Sequence, residues 1–200
     1  ERNPPQLTSF GLNMETNKLA LTFDSAVEAS SFVASSMTLM SEQGSGSSLQ
    51  AVTLTDASTT SSSDGFTIII DLGTADVDRI TSARNLATSG PSTGDPGSTF
   101  LHIKATAFTD LFDTPVEAIV PATAQPVSVY TADSIRPKLL SFEFVLDPGS
   151  LTMTFDEVVD MTTFDPTSIS FIDGETRTQP AVVLSGGTPD EADVAKEFTV

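Results

Sequence analysis

At an offset of 132 residues the chain matches itself, and this internal repeat restricts its fold more than any other feature. Leu7-Thr8-Ser9-Phe10 falls on Leu139-Leu140-Ser141-Phe142, and Leu19-Ala20-Leu21-Thr22-Phe23-Asp24 falls on Leu151-Thr152-Met153-Thr154-Phe155-Asp156, both without a gap. The frame continues through Val27 on Val159, Phe32 on Phe164 and Ser36 on Ser168. After a compensated two-residue slip it brings Phe66-Thr67 onto Phe198-Thr199. Identity is about one position in five, concentrated on apolar anchors at strand-like spacing, where a shared fold constrains it.

In the same frame Glu1 pairs with Asp133 and Val200 with Ile68, so the second copy covers only the first half of the first. The expected organisation is a whole unit over 1–133 and the first half of a second unit over 134–200. Half a sandwich cannot bury its own core, so the missing strands are expected from further chain or from a neighbouring molecule.

Each copy opens with two segments of period-two alternation, the mark of half-buried strands. In the first copy Leu19, Leu21 and Phe23 alternate with Ala20 and Thr22. In the second, Phe142, Phe144 and Leu146 alternate with Glu143 and Val145. Seven strands are expected in the first unit, near 6–12, 18–24, 36–41, 49–55, 65–72, 99–106 and 126–131, an Ig-like number. Gly44–Ser48 and Ser58–Ser63 read as loops, and the 53 serines and threonines suit strand faces and turns better than helices. One short helix, inserted late in the unit, is predicted from Thr74 to about Leu86, with Thr74 as N-cap and Asp76 and Asp78 in the first turn. Val77, Ile80 and Leu86 would then face the core. The fold class is all-β: Ig-like sandwich units in tandem. Phe10, Leu21, Phe23, Ile68, Ile70, Leu101 and Ile103 are expected inside, with Phe142, Phe155 and Phe164 in equivalent places.

Charge removes several partners. Nine Lys and Arg against 27 Asp and Glu give −18, which repels phosphate backbones and anionic membrane surfaces, so nucleic acid is not an expected partner. The longest aliphatic stretch, Phe66-Thr67-Ile68-Ile69-Ile70, falls far short of the roughly 20 residues that span a bilayer, so no membrane insertion is expected of this segment. The absence of cysteine excludes disulfides and thiolate metal sites. No Gly-x-Ser-x-Gly elbow is present, and the single histidine, His102, lies in the strand pattern Phe100-Leu101-His102-Ile103-Lys104 as an outward residue, so no enzyme activity is expected. One tyrosine, Tyr130, and no tryptophan leave no aromatic platform for sugars.

Among cations, calcium fits an oxygen-rich chain without nitrogen or sulfur ligand clusters. The second strand of each copy ends in Asp24 or Asp156, followed four residues later by Glu28 or Asp160, with Glu157 beside Asp156. Asp133 lies in the linker Asp133-Ser134-Ile135-Arg136-Pro137. Asp133, Asp156, Glu157 and Asp160 are therefore the candidate ligands of a calcium ion at the unit junction. The alternative is structural: Glu28 and Asp160 cap the following turn while Asp24 and Asp156 close a strand. No EF-hand loop is present.

The stretch Leu19 to Phe32, repeated at Leu151 to Phe164, resembles the bacterial Ig-like repeats of large surface proteins, including the SwmB and Big-5 types. It is similar to that family's strand, Thr-Phe-Ser-Glu turn and Val-Asp-Ala-Ser-Thr-Leu step. Thr109-Asp110-Leu111-Phe112-Asp113-Thr114-Pro115-Val116 is similar to the family's Asp-Leu-Ala-Gly-Asn-x-Val loop, but Phe112 and Asp113 replace Gly and Asn. The long unit with its inserted helix also resembles very large repetitive surface proteins of single-celled algae and other protists. The resemblance implies an extracellular or cell-surface protein of tandem Ig-like units, used for adhesion or as a structural filament, whose partners are neighbouring units of the same or an identical chain. It supplies no catalytic residue. The rival expectation is an accessory Ig-like module of an extracellular enzyme.

Overall fold

The structure, a computed structural model, describes residues 3–91, 97–147, 149–172, 180–191 and 193–200. The chain divides into two compact units, Glu1–Ile135 and Arg136–Val200. Among the described residues it is built of β-strands in several sheets with one short α-helix, and no sheet closes into a barrel.

The strands of the first unit are β1 (Leu7–Asn13), β2 (Lys18–Val27), β3 (Met37–Met40), β4 (Ala51–Thr53), β5 (Thr59–Thr60), β6 (Gly65–Asp71), β7 (Phe100–Ile103), β8 (Gln125–Pro126) and β9 (Val129–Thr131). Helix α1 (Thr74–Ser82) lies between β6 and β7. One sheet has the order β5-β6-β2-β1-β9 and the other β4-β3-β7-β8. All neighbours are antiparallel except β1 and β9, which run parallel with Gly11, Leu12 and Asn13 opposite Val129, Tyr130 and Thr131. Inward side chains of both sheets, among them Phe10, Leu21 and Ile68 from the first and Leu39, Leu101 and Ile103 from the second, enter a single hydrophobic core. All seven side chains expected inside this unit are buried.

Three local expectations are corrected. Among the described residues of this unit nine strands form where seven were predicted, because the last segment splits into β8 and β9 and because Thr59–Thr60, inside a predicted loop, adds a short edge to β6. Helix α1 is capped by Gly73 rather than Thr74, since the Gly73 carbonyl accepts the N–H groups of Asp76 and Val77 at 2.9 and 3.0 Å. It also stops at Ser82, four residues before Leu86, where the Thr81 and Ser82 hydroxyls turn back onto helix carbonyls and Ala83 leaves the helical conformation. Ile80 and Leu86 are nevertheless buried, and Val77 packs against the core.

The second unit contains β10 (Leu139–Val145), β11 (Ser150–Asp160), β12 (Ser170–Phe171), β13 (Val182–Val183) and β14 (Val194–Thr199), in the sheets β10-β11-β14 and β12-β13. Its pairings repeat those of the first unit residue by residue. Leu7↔Phe23, Phe10↔Leu21 and Leu12↔Leu19 become Leu139↔Phe155, Phe142↔Met153 and Phe144↔Leu151, with the same irregularity after the first pair. Each hairpin turn passes through one left-handed residue, Asn17 at φ 54° and Gly149 at φ 92°, residue types that tolerate this region. The two short 3₁₀ turns of the first unit, Ala29–Ser31 and Ala34–Ser36, recur at Met161–Thr163 and Pro166–Ser168.

Beyond that point the structure corrects the sequence frame. Thr38 pairs with Thr53, whereas Ser170 pairs with Val183, so the loop between these strands is two residues shorter in the second unit. The slip is never compensated. Leu21 faces Ile68 while Met153 faces Phe198, so Phe198 occupies the place of Ile68 and not that of Phe66. Leu151 exchanges backbone hydrogen bonds with Val200, as Leu19 pairs with Ile70. A two-residue error keeps the in-out parity of a strand, which is why the sequence match concealed it. Burial exposes it: Phe198 is 3% accessible, whereas Phe66, at the outer end of β6, is 58% accessible.

Candidate functional site

The proposed calcium ligands are held by their own local backbone. Asp133, in the first unit, accepts the Ile135 N–H at 2.8 Å. In the second unit Asp156 accepts the Lys138 N–H at 2.7 Å and donates its own N–H to the Lys138 carbonyl at 3.1 Å. Asp24 makes the same two-way bracket with Gln6 at 2.8 and 3.0 Å. Asp160 caps the turn after β11, accepting the Thr162 N–H at 2.9 Å and hydroxyl at 2.6 Å. Glu28, its counterpart, makes no such cap and accepts the Ser30 hydroxyl at 2.7 Å. Glu157 lies half-buried in β11. Within either unit, no three His, Asp or Glu side chains among the described residues converge as a metal site would require.

His102 is half-buried, and its Nδ1–H donates to the Ile119 carbonyl at 2.6 Å, because the carbonyl can only accept. The most enclosed carboxylate belongs to Asp76, which has no accessible surface. It accepts the Thr55 N–H and hydroxyl at 2.9 and 3.0 Å, the Ser58 hydroxyl at 2.6 Å and an Arg79 Nη1 at 3.1 Å. Ser58 in turn accepts the Gly73 N–H at 3.1 Å. This hub fastens α1 to the segment after β4 and uses the carboxylate's acceptor capacity, so it reads as an anchor. The sequence places Asp76 in the first helical turn without revealing its burial, since Thr55 and Ser58 lie about 20 residues away along the chain and only the fold joins them. A shallow depression of about 420 Å³ on the outer face of the five-stranded sheet, floored by Gly11, Ala20, Ile69 and Val129, holds no facing pair of acid and base.

What distinguishes the molecule is an apolar surface. Phe142 and Phe144 are 61% and 45% accessible, whereas Phe10 and Leu12, at the matching places of the first unit, are each 1% accessible. Phe142 thus corrects the expectation of an equivalent buried place: its strand register is equivalent and its burial is not. Leu139 and Leu140 are exposed in the same strand, and Leu146 in the turn that follows it. Deeper in the unit, Phe198 lies 6.1 Å from Phe155 in a stacked pair and 5.7 Å from Phe164 edge-on, while Phe144 leans on Phe171 at 4.8 Å.

No protein-family model and no curated protein matches the chain in sequence. Among the described residues no helix is long and apolar enough to cross a membrane.

Proposed function

We propose that the chain is a structural or adhesive repeat segment of a secreted filament, stalk or cell-surface protein, composed of Ig-like sandwich units in tandem. The observation that carries this reading is the pair-by-pair recurrence of strand register between β1-β2 and β10-β11 at an offset of 132 residues. Repetition of a whole supersecondary unit is how a chain builds length, since each unit adds its own contacts and extends the same axis. The reading is non-enzymatic. It draws support from the commitment of the sole histidine to a backbone carbonyl and of the fully buried Asp76 carboxylate to a structural hub.

Pro137 restricts the linker, because proline fixes its own φ and pushes the preceding residue toward extended backbone. Small-angle scattering of the 200-residue chain tests the proposal. A compact 200-residue domain has a radius of gyration of roughly 16 Å, and an end-to-end tandem exceeds it clearly. A value at the compact limit overturns the filament reading. Calcium at Asp133, Asp156, Glu157 and Asp160 enters this reading as a stiffener of the linker. Adding a chelator is expected to change the scattering-derived length without melting either unit, and an unchanged length removes calcium from the proposal.

A further inference from the structure

Ser58 to Ser63 form the longest unbroken run of hydroxyl side chains in the molecule, six in succession, and the fold sorts them into two kinds. Ser58 is buried and donates to the Asp76 carboxylate at 2.6 Å. Thr60 and Ser62 turn toward β6: the Thr60 hydroxyl donates to the Ile69 carbonyl at 2.7 Å, and the Ser62 hydroxyl oxygen accepts the Ile69 N–H at 2.8 Å. Side chains of alternate residues thereby continue the β5-β6 pairing, which as a backbone ladder covers only Thr59 and Thr60. The intervening hydroxyls of Thr59, Ser61 and Ser63 are exposed and enter no hydrogen bond among the described residues.

The same segment is an outer edge of the five-stranded sheet. Edge strands ordinarily carry Lys, Pro or another charge against pairing with a foreign chain, and residues 58–63 carry none of these. On the neighbouring strand Phe66 is 58% accessible and Ile69 41% accessible.

We propose that Thr59, Ser61 and Ser63 are acceptors for O-linked sugar, whose bulk shields this edge. The inference rests on the secreted-filament reading, since that reading places the chain where sugar transferases act. In the transfer each hydroxyl oxygen attacks the anomeric carbon of a nucleoside-diphosphate sugar. The bond from that carbon to the diphosphate breaks, its electron pair leaves with the nucleoside diphosphate, and the hydroxyl proton passes to a base of the transferase. Exposed hydroxyls on a surface segment are open to such an enzyme, and the attached sugar is bulky and solubilising. Charge favours sugar over phosphate at these positions. Asp56 and Asp64 flank the run in a chain of net charge −18, and each phosphate would add about −1.5 to −2 beside them, whereas a neutral sugar adds nothing. Thr60 and Ser62 are not acceptors, because a sugar on either would stand between the segment and β6.

The test is fragment-mass mapping of the protein purified from its native source, with a fragmentation that keeps each sugar on its residue. The expected result is sugar mass on fragments spanning 58–63, borne by Thr59, Ser61 or Ser63. The triple variant Thr59→Ala, Ser61→Ala, Ser63→Ala, produced in the same source, should lose that mass completely and show a larger self-associated fraction in sedimentation. Four results overturn the proposal: fragments free of sugar, sugar carried by Thr60 or Ser62, phosphate mass in place of sugar, or a sugar-free variant no more associated than the parent. None of them touches the scattering test, so a chain without sugar that still scatters as an extended tandem leaves the filament reading standing.

Discussion

The two units share their strand pairings and differ in what those pairings bury. In both, the opening hairpin has the same register, the same irregularity and the same Asp bracket across its base. In the first unit both strands of the hairpin bury their inner side chains, whereas in the second β11 buries Leu151 and Met153 while β10 leaves Phe142 and Phe144 exposed. Register is therefore a property of the local sequence, whereas burial depends on residues 100–131, far along the chain.

The turns after the second strand make the same point. In the first unit the Glu28 N–H donates to the Thr109 carbonyl at 2.8 Å and the Val33 N–H to the Ala107 carbonyl at 3.0 Å, so a distant segment stitches both turns down. Their N-cap residues, Glu28 and Val33, make no side-chain cap. The second unit carries Asp160 and Asp165 at these places, and each caps its own turn. Local capping holds there what a long-range contact holds in the first unit.

The sharpest way to break the comparison is to truncate the same aromatic in both hairpins. Phe10→Ala removes a fully buried ring and is expected to destabilise the first unit by about 3–5 kcal/mol. Phe142→Ala, at the matching place on an open face, is expected to cost under about 0.5 kcal/mol. The sole tyrosine, Tyr130, packs against the first core, so its emission during denaturant unfolding reads Phe10→Ala, while amide exchange of β11 reads Phe142→Ala in the second unit. Equal losses at the two positions would show that the second unit is closed in solution.

Next in size is the hub that belongs to the first unit. Asp76→Ala strands the Thr55 N–H and the Ser58 hydroxyl without their acceptor and is expected to cost about 2–4 kcal/mol in the same assay. Amide exchange of the second unit should not change. A loss under about 1 kcal/mol would mean that α1 is anchored by Ile80 and Leu86 instead.

A smaller effect tests what the units share. Asp24→Ala and Asp156→Ala each remove one carboxylate from the base of a hairpin, and each is expected to cost about 1 kcal/mol in its own unit. Unequal losses, read by exchange at Gln6 and Lys138, would show that the bracket has different work in the two hairpins.

Local features were legible in the sequence and distant ones were not. The alternation of Leu19, Leu21 and Phe23 gave β2 its buried face, and the 132-residue match anticipated the hairpin register down to single pairs. The match went wrong at Phe66-Thr67, where a period of two cannot distinguish neighbouring registers of one parity. Asp76 stands in the first helical turn as expected, but its burial was not legible for another reason: a carboxylate there is ordinary by itself, and its burial follows from Thr55 and Ser58 arriving from outside the helix. Phe108 carried no periodic signal because it follows a 3₁₀ turn, although it joins the aromatic cluster of Phe23 and Phe32. The open face of β10 was anticipated from the half-length repeat, yet its Phe142 was still placed among equivalent positions, since register alone does not say what lies opposite.

The smallest effect separates the two kinds of turn by acid. Asp165 accepts hydrogen bonds from the Thr167 hydroxyl at 2.6 Å, the Thr167 N–H at 2.9 Å and the Ser168 hydroxyl at 3.3 Å, with the Thr167 hydroxyl the leading cause that lowers its pKa below the usual carboxylate value. A carboxyl whose pKa is lower folded than unfolded adds stability above the unfolded value, about 3.9, and loses that contribution as pH falls through the folded value. The 166–168 turn should therefore loosen only at the acid end, with the Asp165 carboxyl and Thr167 amide resonances titrating together at a midpoint below about 3.9. Asp165→Asn abolishes that titration. Val33, the counterpart, has no ionisable group, and its N–H is held by Ala107, so the Ala34–Ser36 turn should show no matching step. A midpoint at or above the ordinary carboxylate value, or a parallel step in the first unit, would show that the cap does not hold the turn.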